Sequence, residues 1–204
     1  GMTSIVIPDS VSMIGQDAFS GCSGLRSVTL GSGLETMGDY VFRDCTALEE
    51  IYFNAENMSD WSSWHSNFLG AGQDGAGITV TIGSKVTRIP AYLFATISVQ
   101  DTPNITNVKF EANSQCTSIG DRAFYNRISL RKIIIPESIT SIGDAAFSGC
   151  DGLTEICFNA VNMEDLPTTN YMFYRAGYST TGIKVTIGAK VTRVPAYLFC
   201  SKSG

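Results

Sequence analysis

The sequence predicts a parallel-stranded repeat solenoid of about eight turns, of the α/β repeat type, and three observations carry that prediction. Short apolar triplets recur at near-regular spacing. A phenylalanine follows the triplet twelve residues on in the unexpanded turns, and a glycine recurs at one place between the two. Repetition of this kind builds a one-dimensional core, in which each turn covers the apolar face of the next.

The triplets are Ile5-Val6-Ile7, Val28-Thr29-Leu30, Ile51-Tyr52-Phe53, Val80-Thr81-Ile82, Val108-Lys109-Phe110, Ile133-Ile134-Ile135, Ile156-Cys157-Phe158 and Val185-Thr186-Ile187. Their first residues are spaced 23, 23, 29, 28, 25, 23 and 29 apart. A period in the twenties is that of a leucine-rich repeat, with one short strand per turn. Alternation within the triplet turns the first and third residues inward and the middle one to solvent.

The phenylalanine series runs Phe19, Phe42, Phe68, Phe94, Phe124, Phe147, Phe173 and Phe199, and the other three, Phe53, Phe110 and Phe158, close a triplet. Every phenylalanine is therefore placed by the repeat. Gly15, Gly38, Gly120 and Gly143 share one position, where a β-carbon would be opposed by conformation or by close approach. The return from strand to strand is expected to be a short helical or irregular segment.

A larger copy is superimposed on the small one. Residues 50–58 return as 155–163, and 77–94 as 182–199, both at an offset of 105. A four-turn unit is thus duplicated, at approximately 2–106 and 107–204, within one solenoid. Because solenoid ends expose apolar rungs, the chain is expected to be a piece of a longer array.

The strings SVSMIGQDAFSGCSGL at 10–25 and SITSIGDAAFSGCDGL at 138–153 resemble the BspA-like leucine-rich repeats of bacterial surface proteins. The motif is Ile-Pro-x-Ser after the strand, Ile-Gly-x-x-Ala-Phe, then Cys three residues past the Phe. The turns at 48–77 and 153–182 depart from it by insertion, and Pro90 and Pro195 replace the glycine. The resemblance implies an extracellular, cell-surface protein whose partners are host matrix proteins, mucins or glycans. The alternative within the same resemblance is a passive spacer that projects another domain from the cell wall.

Composition narrows the function. The net charge of −5 opposes a phosphate-binding surface, so nucleic acid is not an expected partner. No apolar run approaches the roughly 20 residues that span a bilayer, so no membrane insertion is expected of this chain. The single histidine, His65, leaves almost no material for a triad or a zinc cluster, and no phosphate loop or nucleophile elbow occurs. We expect a non-enzymatic chain with no cofactor, no metal and no catalytic residue.

Cys22, Cys45 and Cys150 lie three residues past a Phe, at an inward position, which leaves open a ladder of buried thiols or a Cys22–Cys45 bridge. Cys157, a middle triplet residue, should face out.

Two surfaces could bind. The strand face carries Val6, Thr29, Tyr52, Thr81, Lys109, Ile134, Cys157 and Thr186, of which Tyr52 is the candidate contact. The two insertions, 59–76 and 164–181, hold both tryptophans, the histidine and several tyrosines, and differ most between the two copies. Aromatic loops on a rigid scaffold are a common binding arrangement. From them the candidate contacts are Trp64, His65, Tyr171, Tyr174 and Tyr178. Trp61, Trp64, His65 and Phe68 also fit the i, i+3, i+4, i+7 spacing of a buried helical stripe. Trp61 aligns with Leu166 and Phe68 with Phe173, which assigns those two to the core.

Overall fold

The computed structural model describes residues 1–63, 66–96 and 105–200. The first turn supplies β1 (Ser4–Ile7) and β2 (Met13–Ile14), the second β3 (Ser27–Leu30) and β4 (Thr36–Met37), the third β5 (Glu50–Phe53). The fourth turn supplies β6 (Ile78–Ile82) and β7 (Arg88–Ile89), the fifth β8 (Ile105–Phe110) and β9 (Ser118–Ile119). The sixth gives β10 (Lys132–Ile135) and β11 (Ser141–Ile142), the seventh β12 (Glu155–Phe158), and the eighth β13 (Lys184–Ile187).

All eight triplets are strands of one parallel sheet, ordered β1-β3-β5-β6-β8-β10-β12-β13. Consecutive turns are spatial neighbours, as a solenoid requires. The register joins equivalent residues: Val6 faces Thr29, Thr29 faces Tyr52, Tyr52 faces Thr81 and Thr81 faces Lys109. Inward triplet residues such as Val28, Leu30, Ile51, Phe53, Val80 and Ile82 are fully buried. The two-residue strands form smaller ladders, β2-β4 and β11-β9-β7. The third and seventh turns, which carry the insertions, contribute no strand to them.

The return segments are turns, and among the described residues no helix occurs, so the irregular form of the expectation is the one adopted. Of the helical stripe expected over 61–68, the described residues form no helix: 62–63 are bends and 67–72 successive turns. Repeated left-handed backbone prevents helix propagation. Residues two before the phenylalanine, such as Tyr40 (φ 58), Arg122 (φ 52) and Ala145 (φ 53), take that conformation. Residues two after it, such as Asp44 (φ 56) and Asn126 (φ 58), do so again. Trp61 and Phe68 are nonetheless buried, as their alignment with Leu166 and Phe173 required.

Beneath these turns the phenylalanines stack in one column. Successive centroid distances from Phe19 through Phe42, Phe68, Phe94, Phe124, Phe147 and Phe173 to Phe199 are 5.4, 5.5, 5.6, 5.3, 5.4, 5.5 and 5.8 Å. Gly38 and Gly120 hold their places through close approach, since a β-carbon would collide with the backbone of Gln16 and of Ala91 one turn back. Gly15, in the first turn, faces open space.

The cysteines are free thiols. Cys45 donates its thiol to the carbonyl of Phe19 at 3.2 Å, and Cys150 repeats this toward Phe124 at 3.3 Å. The thiol ladder is thus the arrangement adopted, and the Cys22–Cys45 bridge is not formed.

The main sheet is irregular at one junction. Between β6 and β8 the register shifts by one residue, and between β8 and β10 only Asn107 and Lys132 pair. The β6–β8 shift arises where Thr106 is inserted between Ile105 and Asn107, and between β8 and β10 Pro136 removes one of the ladder donors. In other turns the residue after the strand donates its N–H to the preceding rung: Asn54 to Leu30, Glu111 to Ile82 and Asn159 to Ile135, each at 3.0 Å. Proline has no N–H to offer Phe110.

Candidate functional site

The return face is built from residues on either side of each stacked phenylalanine. Around Phe173 these are Tyr171, Tyr174 and Arg175, with Tyr178 three residues past Arg175. Tyr171 and Tyr174 meet edge to face, 5.9 Å apart at 84°. The Arg175 guanidinium lies 4.9 Å from the Tyr178 ring centroid and 3.5 Å from the Asp151 carboxylate. Relative exposures of 42% for Tyr171, 44% for Tyr174 and 73% for Tyr178 mark an aromatic patch open to solvent. Three of the expected contacts are therefore brought together.

Tyr52 stands apart from them. It projects from β5 on the strand face and donates its hydroxyl to Glu50 at 3.1 Å, which pushes the phenol pKa up. Trp64 and His65 lie outside the described residues.

The cluster borders a cavity of about 260 Å³ that sequence reasoning missed, lined by Tyr125, Asn126, Ser148, Gly149, Asp151, Tyr174 and Arg175 among others. Its signal was legible only by aligning three turns. The residue after the phenylalanine is Tyr125 in the fifth turn, Ser148 in the sixth and Tyr174 in the seventh.

The strand face holds a larger concavity, about 860 Å³, over the irregular β8–β10 junction. Lys109, Lys132, Glu111 and Glu137 surround an apolar patch of Ile134, Pro136 and Phe110. Beside it Lys132 donates to Glu155 at 3.0 Å, and Cys157 donates its thiol to the same carboxylate oxygen at 3.3 Å. The bond from Lys132 holds the Glu155 carboxyl below its usual range. Burial first, and the bond to Glu155 second, push the Cys157 thiol up, which keeps it in the weakly nucleophilic protonated form. Among the described residues no group of three His, Cys, Asp or Glu side chains could hold a metal ion.

One short parallel strand per turn, a tight return and a stacked interior define a leucine-rich-repeat solenoid. The chain belongs to the BspA-type leucine-rich-repeat family, whose model, "BspA type Leucine rich repeat region (6 copies)", matches residues 1–67 and 76–204. No curated protein matches the chain.

Among solved structures the chain is similar to a leucine rich cell surface protein from Faecalibacterium prausnitzii A2-165, at 27% identity, 78% of this chain and TM-score 0.45. The chain spans only 39% of the length of that protein. It is also similar to a leucine-rich repeat protein from Eubacterium ventriosum (18% identity, 91% of this chain and 72% of that one, TM-score 0.43). The T. pallidum leucine rich repeat protein is similar to the same degree (17% identity, 91% and 72%, TM-score 0.43).

Proposed function

We propose that the protein is a non-catalytic recognition module of the bacterial cell surface, which binds a host matrix protein, mucin or glycan through its return face. The observation that carries this reading is the exposed cluster of Tyr171, Tyr174 and Tyr178 around Arg175 on a rigid stacked scaffold. Tyrosine and arginine supply large contact area with few rotatable bonds, and they dominate the energetics of recognition surfaces. Family membership supports the cell-surface setting.

A second reading places the partner on the strand face, favoured by the 860 Å³ concavity beside Lys109 and Ile134. Binding of the purified chain to matrix proteins, mucins and glycans, beside a Tyr171→Ala/Tyr174→Ala variant, separates the two. Saturable binding lost in the variant supports the return face. Binding that survives moves the site to the strand face. No binding at high micromolar concentration overturns recognition in favour of a spacer.

A further inference from the structure

We propose that the opening between β8 and β10 is a peptide-binding cleft, which takes an extended segment of a partner protein carrying a carboxylate beside an apolar side chain. The cleft is separate from the tyrosine cluster of the return face, and it gives the strand face a ligand class.

Main-chain groups are directed into this opening. Every other junction of the main sheet pairs four residues or more. Between β8 and β10 the ladder stops at Asn107 and Lys132. Along a strand, the main-chain groups of alternate residues serve opposite neighbours. Glu111 N–H donates to the Ile82 carbonyl, and the Ile135 carbonyl accepts from Asn159 N–H, so these two residues serve the fourth and seventh turns. Phe110 and Ile134, one residue earlier in each case, therefore turn their N–H and C=O groups toward each other across the opening. Strand edges of this kind are templates for a further extended chain.

The opening is bounded and held. The fifth turn carries two residues more between its strand and its phenylalanine than the sixth does (Phe110 to Phe124 against Ile135 to Phe147). The longer loop stays fastened to the fourth turn, with Ser84 N–H donating to Glu111 Oε2 at 2.9 Å and Gln115 N–H to the Ser84 carbonyl at 2.8 Å. Beyond the loop the fifth and sixth turns rejoin, where Ser138 Oγ donates to the Cys116 carbonyl at 2.6 Å. The concavity of about 860 Å³ lies between these ties. Sites that enclose a ligand span roughly 300–1,000 Å³. Inward-facing Val108 and Phe110 line it together with outward-facing Lys109 and Ile134, so it reaches into the plane of the sheet. Phe110 is accordingly only partly buried, whereas its equivalents Leu30, Phe53, Ile82 and Ile135 are fully buried.

The lining selects the ligand. Ile134 is 42% exposed and Pro136 is half-buried, and with Phe110 they form an apolar seat. Of the four charged side chains, Glu111 is engaged by Ser84 N–H, Lys132 by Glu155 and Glu137 by Lys190. Lys109 is exposed and has no partner among the described residues, which leaves its ammonium to meet a carboxylate. An extended peptide supplies main-chain donors and acceptors, an apolar side chain and a carboxylate together. A fatty chain or a sugar offers no N–H and C=O groups at strand spacing.

The test uses the full chain and a blocked peptide of alternating Val and Thr in which Asp replaces the central Thr. A Lys-for-Asp form and a form N-methylated at alternate amides are run beside it, with binding followed by amide NMR and fluorescence anisotropy. Saturable binding of the Asp peptide is expected, with slowed exchange at the Phe110 and Ile134 amides, and weakened tenfold or more in both altered peptides. Lys109→Glu should weaken the Asp peptide and strengthen the Lys peptide, a reversal that misfolding does not produce. Ile134→Glu, also at an exposed position, should weaken both. No saturation by the Asp peptide at millimolar concentration overturns the proposal, as does binding indifferent to N-methylation or to Lys109→Glu. Self-association of the chain that Ile134→Glu abolishes, with no peptide bound, makes the cleft an interface between copies and also overturns it. Matrix-protein binding measured in parallel keeps the two faces apart. If that binding depends on Tyr171 and Tyr174 while no peptide binds, the return face stands and the cleft falls.

Discussion

Arg127 donates from Nε to the main-chain carbonyl of Phe94, making from a fully buried position the same reach to the preceding turn that the thiols of Cys45 and Cys150 make to Phe19 and Phe124. All three stand three residues past a stacked phenylalanine, so a guanidinium has taken a place in a column of thiols. Burial acts on the two kinds of group in opposite directions. It lowers the Arg127 pKa to about 9, and it pushes Cys45 and Cys150 up to about 12 and Cys116 up to about 11.

These shifts make stability depend on alkaline pH. A thiol raised above its ordinary pKa keeps in the fold a proton that the unfolded chain loses. Its contribution is complete below about pH 9 and is lost as pH rises through 11 to 12. Arg127, lowered, contributes the opposite slope above pH 9. Three thiols outweigh one guanidinium, so urea midpoints are expected to fall as pH rises from about 9 to about 10.5. A Cys45→Ala/Cys116→Ala chain should lose less over that range, by about 1 kcal/mol per thiol removed. An unchanged slope would show that these thiols do not set it.

The phenylalanine column should be least tolerant at its middle. Phe147 is fully buried between Phe124 and Phe173 at 5.4 and 5.5 Å, so Phe147→Ala is expected to cost about 3–5 kcal/mol in urea unfolding. Phe19 is only partly buried and stacks on Phe42 alone, and its replacement by alanine should cost less than half as much. Equal losses at the two sites would count against a stack whose energy comes from both neighbours.

Equivalent glycines should not respond equally. Gly38→Ala and Gly143→Ala force a methyl into the backbone of the preceding turn, and each is expected to lower stability by about 2 kcal/mol or more. Gly15→Ala adds a methyl to open space and should stay within about 0.5 kcal/mol of the parent. Thermal melts of the three variants decide the matter, and a large loss at Gly15 would implicate backbone conformation instead of proximity.

Pro136→Ala should knit the sheet at its irregular junction. The restored N–H can donate to the Phe110 carbonyl, as Asn159 N–H does to Ile135 at 3.0 Å. Hydrogen exchange at residue 136 is expected to be slowed tenfold or more relative to an unprotected amide. Fast exchange there would mean that something other than the missing donor holds β8 and β10 apart.

Much of this molecule was legible in its sequence, because in a solenoid the neighbour in space is the equivalent residue one period away. The eight triplets, the phenylalanine column, the close-approach glycines and the burial of Trp61 and Phe68 all followed from counting. Tertiary structure decided what depends on side-chain direction or on three turns at once. Left-handed residues at Tyr40, Arg122 and Ala145 made the returns irregular, where spacing alone also fitted a helix. The thiol of Cys45 turned to a carbonyl, a choice that position alone left open. Tyr52 went to one face, and Tyr171, Tyr174 and Tyr178 to another. The cavity lined by Tyr125 and Tyr174 exists only because Ser148 lies between them when the turns are stacked. A period read along the chain fixes which residues are neighbours, but the volume left among three of them is set by packing.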